Sequence, residues 1–99
     1  MEPINASTLK SRLQAGDPLQ ILDIRTPYER ENFSIGGLHI PLDELLLRVH
    51  DIPDSWKNEE IVVVCGTGLQ SAIAARVLAK QGFTNIHNLE GGLQAYAVV

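Results

Sequence analysis

Four consecutive β-branched residues, Ile61-Val62-Val63-Val64, run straight into the chain's sole cysteine, Cys65, and then into Gly66-Thr67-Gly68. This stretch limits the fold more than any other. A half-buried strand alternates apolar and polar side chains, whereas an unbroken apolar run needs cover on both faces, as at the centre of a parallel sheet with helices above and below. The glycines cannot prolong the strand, so the chain turns sharply after Cys65. A helix is expected over 71–81, where Ala72, Ala75, Leu78 and Ala79 recur at helical spacing and Gly82 supplies the stop. Ligands of parallel α/β sheets bind beyond the carboxyl ends of the strands, and Cys65 stands at such an end.

The remaining segments fit an alternation of strands and helices. Asn5 caps a helix over 6–14 with Leu9 and Leu13 on one face, and Gly16 and Pro18 end it. Residues 19–24, Leu-Gln-Ile-Leu-Asp-Ile, read as a buried strand. Thr26 caps a short helix that starts at Pro27. Gly36-Gly37 breaks the chain before a second short strand over 38–40. Pro41 then opens a helix whose core face is Leu42, Leu45, Leu46 and Val49, leaving Leu47 as an apolar rim residue. Trp56 reads as a lid over the core. Residues 86–89 form a last strand, Gly91-Gly92 a strand-to-helix turn, and 93–98 a terminal helix. Ninety-nine residues are expected to make one domain, 1–99.

Composition removes several classes of function. The net charge is −4, and phosphate backbones are bound by clustered Lys and Arg, so no nucleic-acid partner is expected. No apolar run approaches the roughly 20 residues of a membrane helix, so no membrane partner is expected. The first residues lack the layout of a secretion signal, and a cytoplasmic location is the expectation. One cysteine makes neither an internal disulfide nor a thiolate zinc site. His39, His50 and His87 are scattered without ligand spacing, so each reads as structural and no metal is expected. No histidine is tied to Cys65 by context, which disfavours a Cys-His hydrolase.

A lone cysteine taken without its context is more often a small buried core residue than a reactive one. The turn reverses that preference. A strand end, a two-glycine bend and a helix start gather unpaired backbone N–H groups, here those of Gly66, Thr67, Gly68, Leu69, Gln70 and Ser71, with the Thr67 and Ser71 hydroxyls as further donors. Such donors favour an ionised thiol and a second anionic sulfur attached to it. Asp23 and Arg25 follow a strand at the same sheet edge. They offer electrostatic support to the thiol, although a structural ion pair is the simpler reading. Arg76 reads as a solvated or ion-paired helix charge.

These residues resemble the rhodanese family of sulfurtransferases. Cys65-Gly66-Thr67-Gly68-Leu69-Gln70-Ser71 is similar to its active-site loop. Leu22-Asp23-Ile24-Arg25 with Pro27 and Glu29 resembles its Asp-x-Arg segment. Gly36-Gly37 with His39-Ile40-Pro41-Leu42, and Gly82-Phe83 with Asn88-Leu89-Glu90-Gly91-Gly92, resemble its later signatures. The resemblance implies a three-layer α/β/α fold with a central, mostly parallel five-stranded sheet. It also implies a reaction in which Cys65 takes sulfane sulfur from a small sulfur-containing anion such as thiosulfate. The sulfur then passes, through a persulfide, to cyanide, a thiol or a protein cysteine. No cofactor is implied. The six-residue loop, 65–70, matches the sulfurtransferases rather than the phosphatases, whose loop is one residue longer. Many members carry Arg where Gln70 stands and a basic or polar residue where Gly66 stands. The uncharged loop here implies a weak thiosulfate reaction. Tyr96 replaces the family's usual Trp, a structural difference. Two rivals stand beside this reading: a non-catalytic interaction module, and a persulfide carrier in a sulfur-relay pathway.

Overall fold

The computed structural model describes residues 2–99. Five strands form one sheet in the order β1-β5-β4-β2-β3, and every neighbouring pair runs parallel. The strands are β1 (Glu2–Ile4), β2 (Gln20–Asp23), β3 (Leu38–His39), β4 (Glu60–Val64) and β5 (Asn85–Leu89). The helices are α1 (Ala6–Gln14), α2 (Pro27–Asn32), α3 (Leu45–Arg48), α4 (Leu69–Lys80) and α5 (Gly92–Tyr96).

The apolar run behaves as its composition dictates. Its strand, β4, is central, and Ile61, Val62, Val63 and Val64 are all fully buried. Burying each such side chain stabilises the fold by about 1.5–3 kcal/mol. The strand period of two divides them between two cores. Ile61 and Val63 pack with Ala74, Ala75 and Leu78 of α4, while Val62 and Val64 pack with Leu9 of α1 and Leu93 of α5. The sheet is thus the middle of three layers. Trp56 is half-buried against the α4-side core, as expected of a lid.

The local stop and start signals hold. Asn5 Oδ1 accepts from Thr8 N–H at 2.8 Å. Thr26 and Glu29 form a reciprocal capping box, with Pro27 at the first turn of α2. Gly37 has φ +86, and a Cβ there would sit 2.5 Å from Ile21 O, so only glycine fits between β2 and β3.

Five details differ from the sequence reading. β1 lies outside the runs that mark a strand, because it has three residues, includes Pro3 and buries only Ile4. Leu46 is not part of the core face: it is 72% exposed. The segment breaks into a 3-10 turn at Leu42–Glu44, one α-turn and another 3-10 turn at Val49–Asp51. Leu42, Leu45 and Val49 keep the inner face, and the residue after Leu45 rotates outward. Helix α4 begins at Leu69 rather than 71 and turns Ser71, Ala74, Ala75 and Leu78 inward; Ala79 is exposed and Ala72 only half-buried. Helix α5 is shorter than the expected 93–98. No helix among the described residues is long and apolar enough to cross a membrane.

Candidate active site

Cys65 follows β4 in phase with Ile61 and Val63, so its side chain lies on the α4 side of the sheet. The chain then bends through Gly66 and Thr67 to Gly68, which caps α4 with φ +94. This left-handed value needs glycine, and a Cβ there would also crowd Leu89 O and Gly91 N, each at 3.1 Å. The bend brings the Gly68 N–H to 3.0 Å from Cys65 Sγ.

The other wall of the bend comes from Gly91-Gly92. Their turn delivers the first amides of α5 to the loop: Leu93 N–H donates to Cys65 O at 2.8 Å and Gln94 N–H to Gly66 O at 3.0 Å. The peptide bonds are trans, so N–H and C=O of one unit point opposite ways. Pinning these two carbonyls toward α5 turns the Gly66 and Thr67 N–H groups to the opposite side of the sheet, where the sulfur lies. The contact is tight. A Cβ on Gly92 would lie 2.6 Å from Cys65 O and closer still to the Gly66 carbonyl.

Of the amides of Gly66, Thr67, Gly68, Leu69, Gln70 and Ser71, that of Gly68 is hydrogen-bonded to the sulfur. The Ser71 hydroxyl is no donor to it. Ser71 is buried and gives its proton to Gly68 O at 3.0 Å, bracing the first turn of α4. The Thr67, Leu69 and Gln70 side chains are exposed. Cys65 itself is about 1% exposed and belongs to the α4-side core, with its sulfur turned into the bend rather than away from it.

Asp23 and Arg25 form the buried ion pair that was the simpler reading. Arg25 Nη2 lies 2.8 Å from Asp23 Oδ2, and Arg25 also donates to the carbonyls of Glu29 and Phe33. Arg30 reaches Asp23 at 3.5 Å and donates to Gly37 O. One carboxylate at the end of β2 thereby organises the segment from 24 to 37. His39 Nε2 meets Arg25 O at 2.7 Å in the same network, a structural role. His87 lies 2.9 Å from Glu60, and exposed His50 lies 3.5 Å from Asp51.

Two carboxylates flank the loop, and the sequence reading gave neither a role there. Glu29 Oε2 lies 3.5 Å from where a Gly66 Cβ would be. Asp43 shares with Gln70, Thr26 and Leu42 a cleft of about 300 Å³ on the other flank. The capping box aims Glu29 back along α2, a signal legible in Thr26-x-x-Glu29, but its nearness to Gly66 is a matter of tertiary packing. Arg25, Phe33, Gly66 and Gln94 line a second shallow cleft of about 290 Å³ beside Glu29.

Fold and site together define a parallel α/β protein with a glycine-rich bend built around one cysteine at the carboxyl end of its central strand. The chain belongs to the rhodanese-like family, whose domain model matches residues 5–98. It is 33% identical over 95 residues to a sulfurtransferase of Allochromatium vinosum, covering 95% of this chain and 86% of that protein. It is 35% identical over 92 residues to the Bacillus subtilis protein YrkF; that match covers 92% of this chain but about half, 48%, of YrkF. Among solved structures, a rhodanese-related protein from Thermoplasma volcanium superposes with a TM-score of 0.84 at 30% identity, over 99% of this chain and 92% of the other.

Proposed function

We propose that the protein is a sulfurtransferase that carries sulfane sulfur as a persulfide on Cys65. One observation carries this reading: the only thiol in the chain points into a glycine bend whose amide lies 3.0 Å from its sulfur, with the neighbouring carbonyls pinned away from it. In the first step the Cys65 thiolate attacks the outer sulfur of a donor. With thiosulfate the donor's S–S bond breaks and sulfite leaves with the electron pair. In the second step an acceptor thiolate attacks the terminal sulfur of the Cys65 persulfide, and Cys65 departs as thiolate. Neither step calls for a metal or organic cofactor. The Gly68 N–H and the amides turned toward the sulfur stabilise the charge that moves between the two sulfurs.

The surroundings favour a thiol-derived donor over thiosulfate. The loop has no cation of its own, and Glu29 and Asp43 stand on its two flanks. Both repel a dianion, so thiosulfate is a slow donor. Asp23 and Arg25 act as scaffold, since the carboxylate is satisfied by the two arginines.

Intact mass after incubation with thiosulfate, and separately with a low-molecular-weight persulfide, tests the proposal. A gain of one sulfur atom that a reductant removes, and that Cys65→Ser lacks, is the expected result. Absence of the adduct with both donors overturns it in favour of an interaction module.

A further inference from the structure

The surface beside the loop carries a feature that sulfur transfer to a small molecule does not use. Six of the eight Lys and Arg residues have partners within the chain. Arg12 pairs with Asp17 and Glu60, Arg25 and Arg30 with Asp23, Arg48 with Glu44 and Asp51, and Lys57 with Asp54, while Lys10 donates to Val99 O. Arg76 and Lys80 alone have neither an ion-pair nor a hydrogen-bond partner for their charged groups among the described residues, and both are exposed. In a chain of net charge −4, two cations left without carboxylates on one helix face are conspicuous.

They do not stand by themselves. Leu69, Ile73, Arg76 and Lys80 follow one another at spacings of four, three and four along the outer face of α4. Leu69 is 78% and Ile73 52% exposed. Leu46, turned out by the break in its helix, faces Ile73, Arg76 and Lys80 across an apolar cleft of about 300 Å³. The strip begins four residues after Cys65 and runs roughly 16 Å along the helix. Exposed apolar side chains gathered on one surface and edged by charge mark a protein contact rather than ordinary surface.

We propose that this face docks the sulfur acceptor, and that the acceptor is a protein segment bearing apolar side chains flanked by carboxylates, with its cysteine placed at the loop end of the strip. Charge complementarity selects the occupant, because the two unpaired cations sit beside the apolar cleft while carboxylates flank the reactive loop on its other sides. The inference rests on the persulfide reading and adds the class of acceptor. The chemical step is the one already described: the docked thiolate takes the terminal sulfur and Cys65 leaves as thiolate.

Two synthetic amphipathic peptides of about 16 residues serve as probes. One bears glutamates beside its leucines and a single terminal cysteine, and the other has lysines in place of the glutamates. 2-Mercaptoethanol is the small acceptor. At low salt, kcat/KM from the persulfide form to the acidic peptide is expected to exceed that to the lysine peptide by roughly tenfold or more, and the gap closes as salt rises. The Arg76→Glu/Lys80→Glu double variant and Ile73→Ser lower transfer to the acidic peptide and leave transfer to 2-mercaptoethanol unchanged. Transfer to 2-mercaptoethanol without preference for the acidic peptide refutes the docking face and spares the persulfide reading. Failure to load or discharge Cys65 refutes that reading instead. A cysteine-free acidic peptide decides docking in that case: backbone amide shifts along the outer face of α4 support it, and their absence overturns it. Shifts that depend on protein concentration without peptide assign the face to a second copy of this chain and also overturn it.

Discussion

Replacing Gly92 by alanine tests whether the α5 amides hold the reactive bend in shape. Gly92 has φ +64, and a Cβ added there would lie 2.6 Å from Cys65 O, with the Gly66 carbonyl nearer still. The atoms in the way are backbone, so relief comes only from moving the loop and the start of α5 apart by more than half an ångström. The left-handed conformation costs alanine about 1–2 kcal/mol. Stretching the hydrogen bonds from Leu93 to Cys65 and from Gln94 to Gly66 costs about 1 kcal/mol each. Gly82 is the internal control. It has φ +95, and its added Cβ would meet nothing closer than Lys57 Cδ at 3.8 Å, so Gly82→Ala carries the conformational cost without the collision. Urea unfolding of the two variants is expected to differ by about 2 kcal/mol, with Gly92→Ala the weaker. Sulfur transfer in Gly92→Ala is expected to fall roughly 100-fold, since an ångström of misplacement at a reacting group has that effect. Equal stability of the two variants, with transfer intact in both, would refute the account of how the bend is held.

Two further outcomes follow from the ion pairs. Asp23→Ala leaves Arg25 and Arg30 without their buried counter-charge and is expected to destabilise the fold by about 3–5 kcal/mol in urea unfolding; a loss under 1 kcal/mol would deny Asp23 its organising role. The Arg12 guanidinium, hydrogen-bonded to Glu60, holds the Glu60 carboxyl below its ordinary value of 4.5. The stability this contributes is fully present above about pH 4.5 and is lost as pH falls through the lower value in the folded protein. The stability gap between wild type and Glu60→Gln is therefore expected to shrink as pH falls below about 4.5, measured by unfolding at a series of acid pH values. A gap independent of pH would remove Glu60 as its source.

The parts of the fold legible in the sequence are those set by local rules. Four β-branched residues in succession have few ways to be satisfied, and β4 is indeed central. The Asn5 and Thr26 caps and the Gly37 break act within a few residues and occur where the residues stand. What escaped the reading depends on partners far along the chain. β1 is a strand because β5 offers it an edge, not because Glu-Pro-Ile favours one. Leu46 falls at core spacing only in a regular helix, and the segment changes pitch on either side of it. At the bend, the thiol and its glycines are plain in the sequence, and Gly91-Gly92 reads as the turn that it forms. That this turn presses on the Cys65 and Gly66 carbonyls could not be seen, since no local pattern links residues 26 positions apart. For the same reason no local pattern ties Glu29 and Asp43 to the loop, and the Ser71 hydroxyl, a donor to the sulfur by its place in the sequence, is consumed by the first turn of its own helix.

The dependence of the bend on residues 91–94 also sets an order of events during synthesis. Every strand of the sheet has left the ribosome before Gly91 emerges, yet until Leu93 and Gln94 arrive the Cys65 and Gly66 carbonyls have no amides to face. A nascent chain that has exposed β5 but not yet residues 91–94 therefore holds all five strands of the sheet without the amides that shape the surroundings of its thiol.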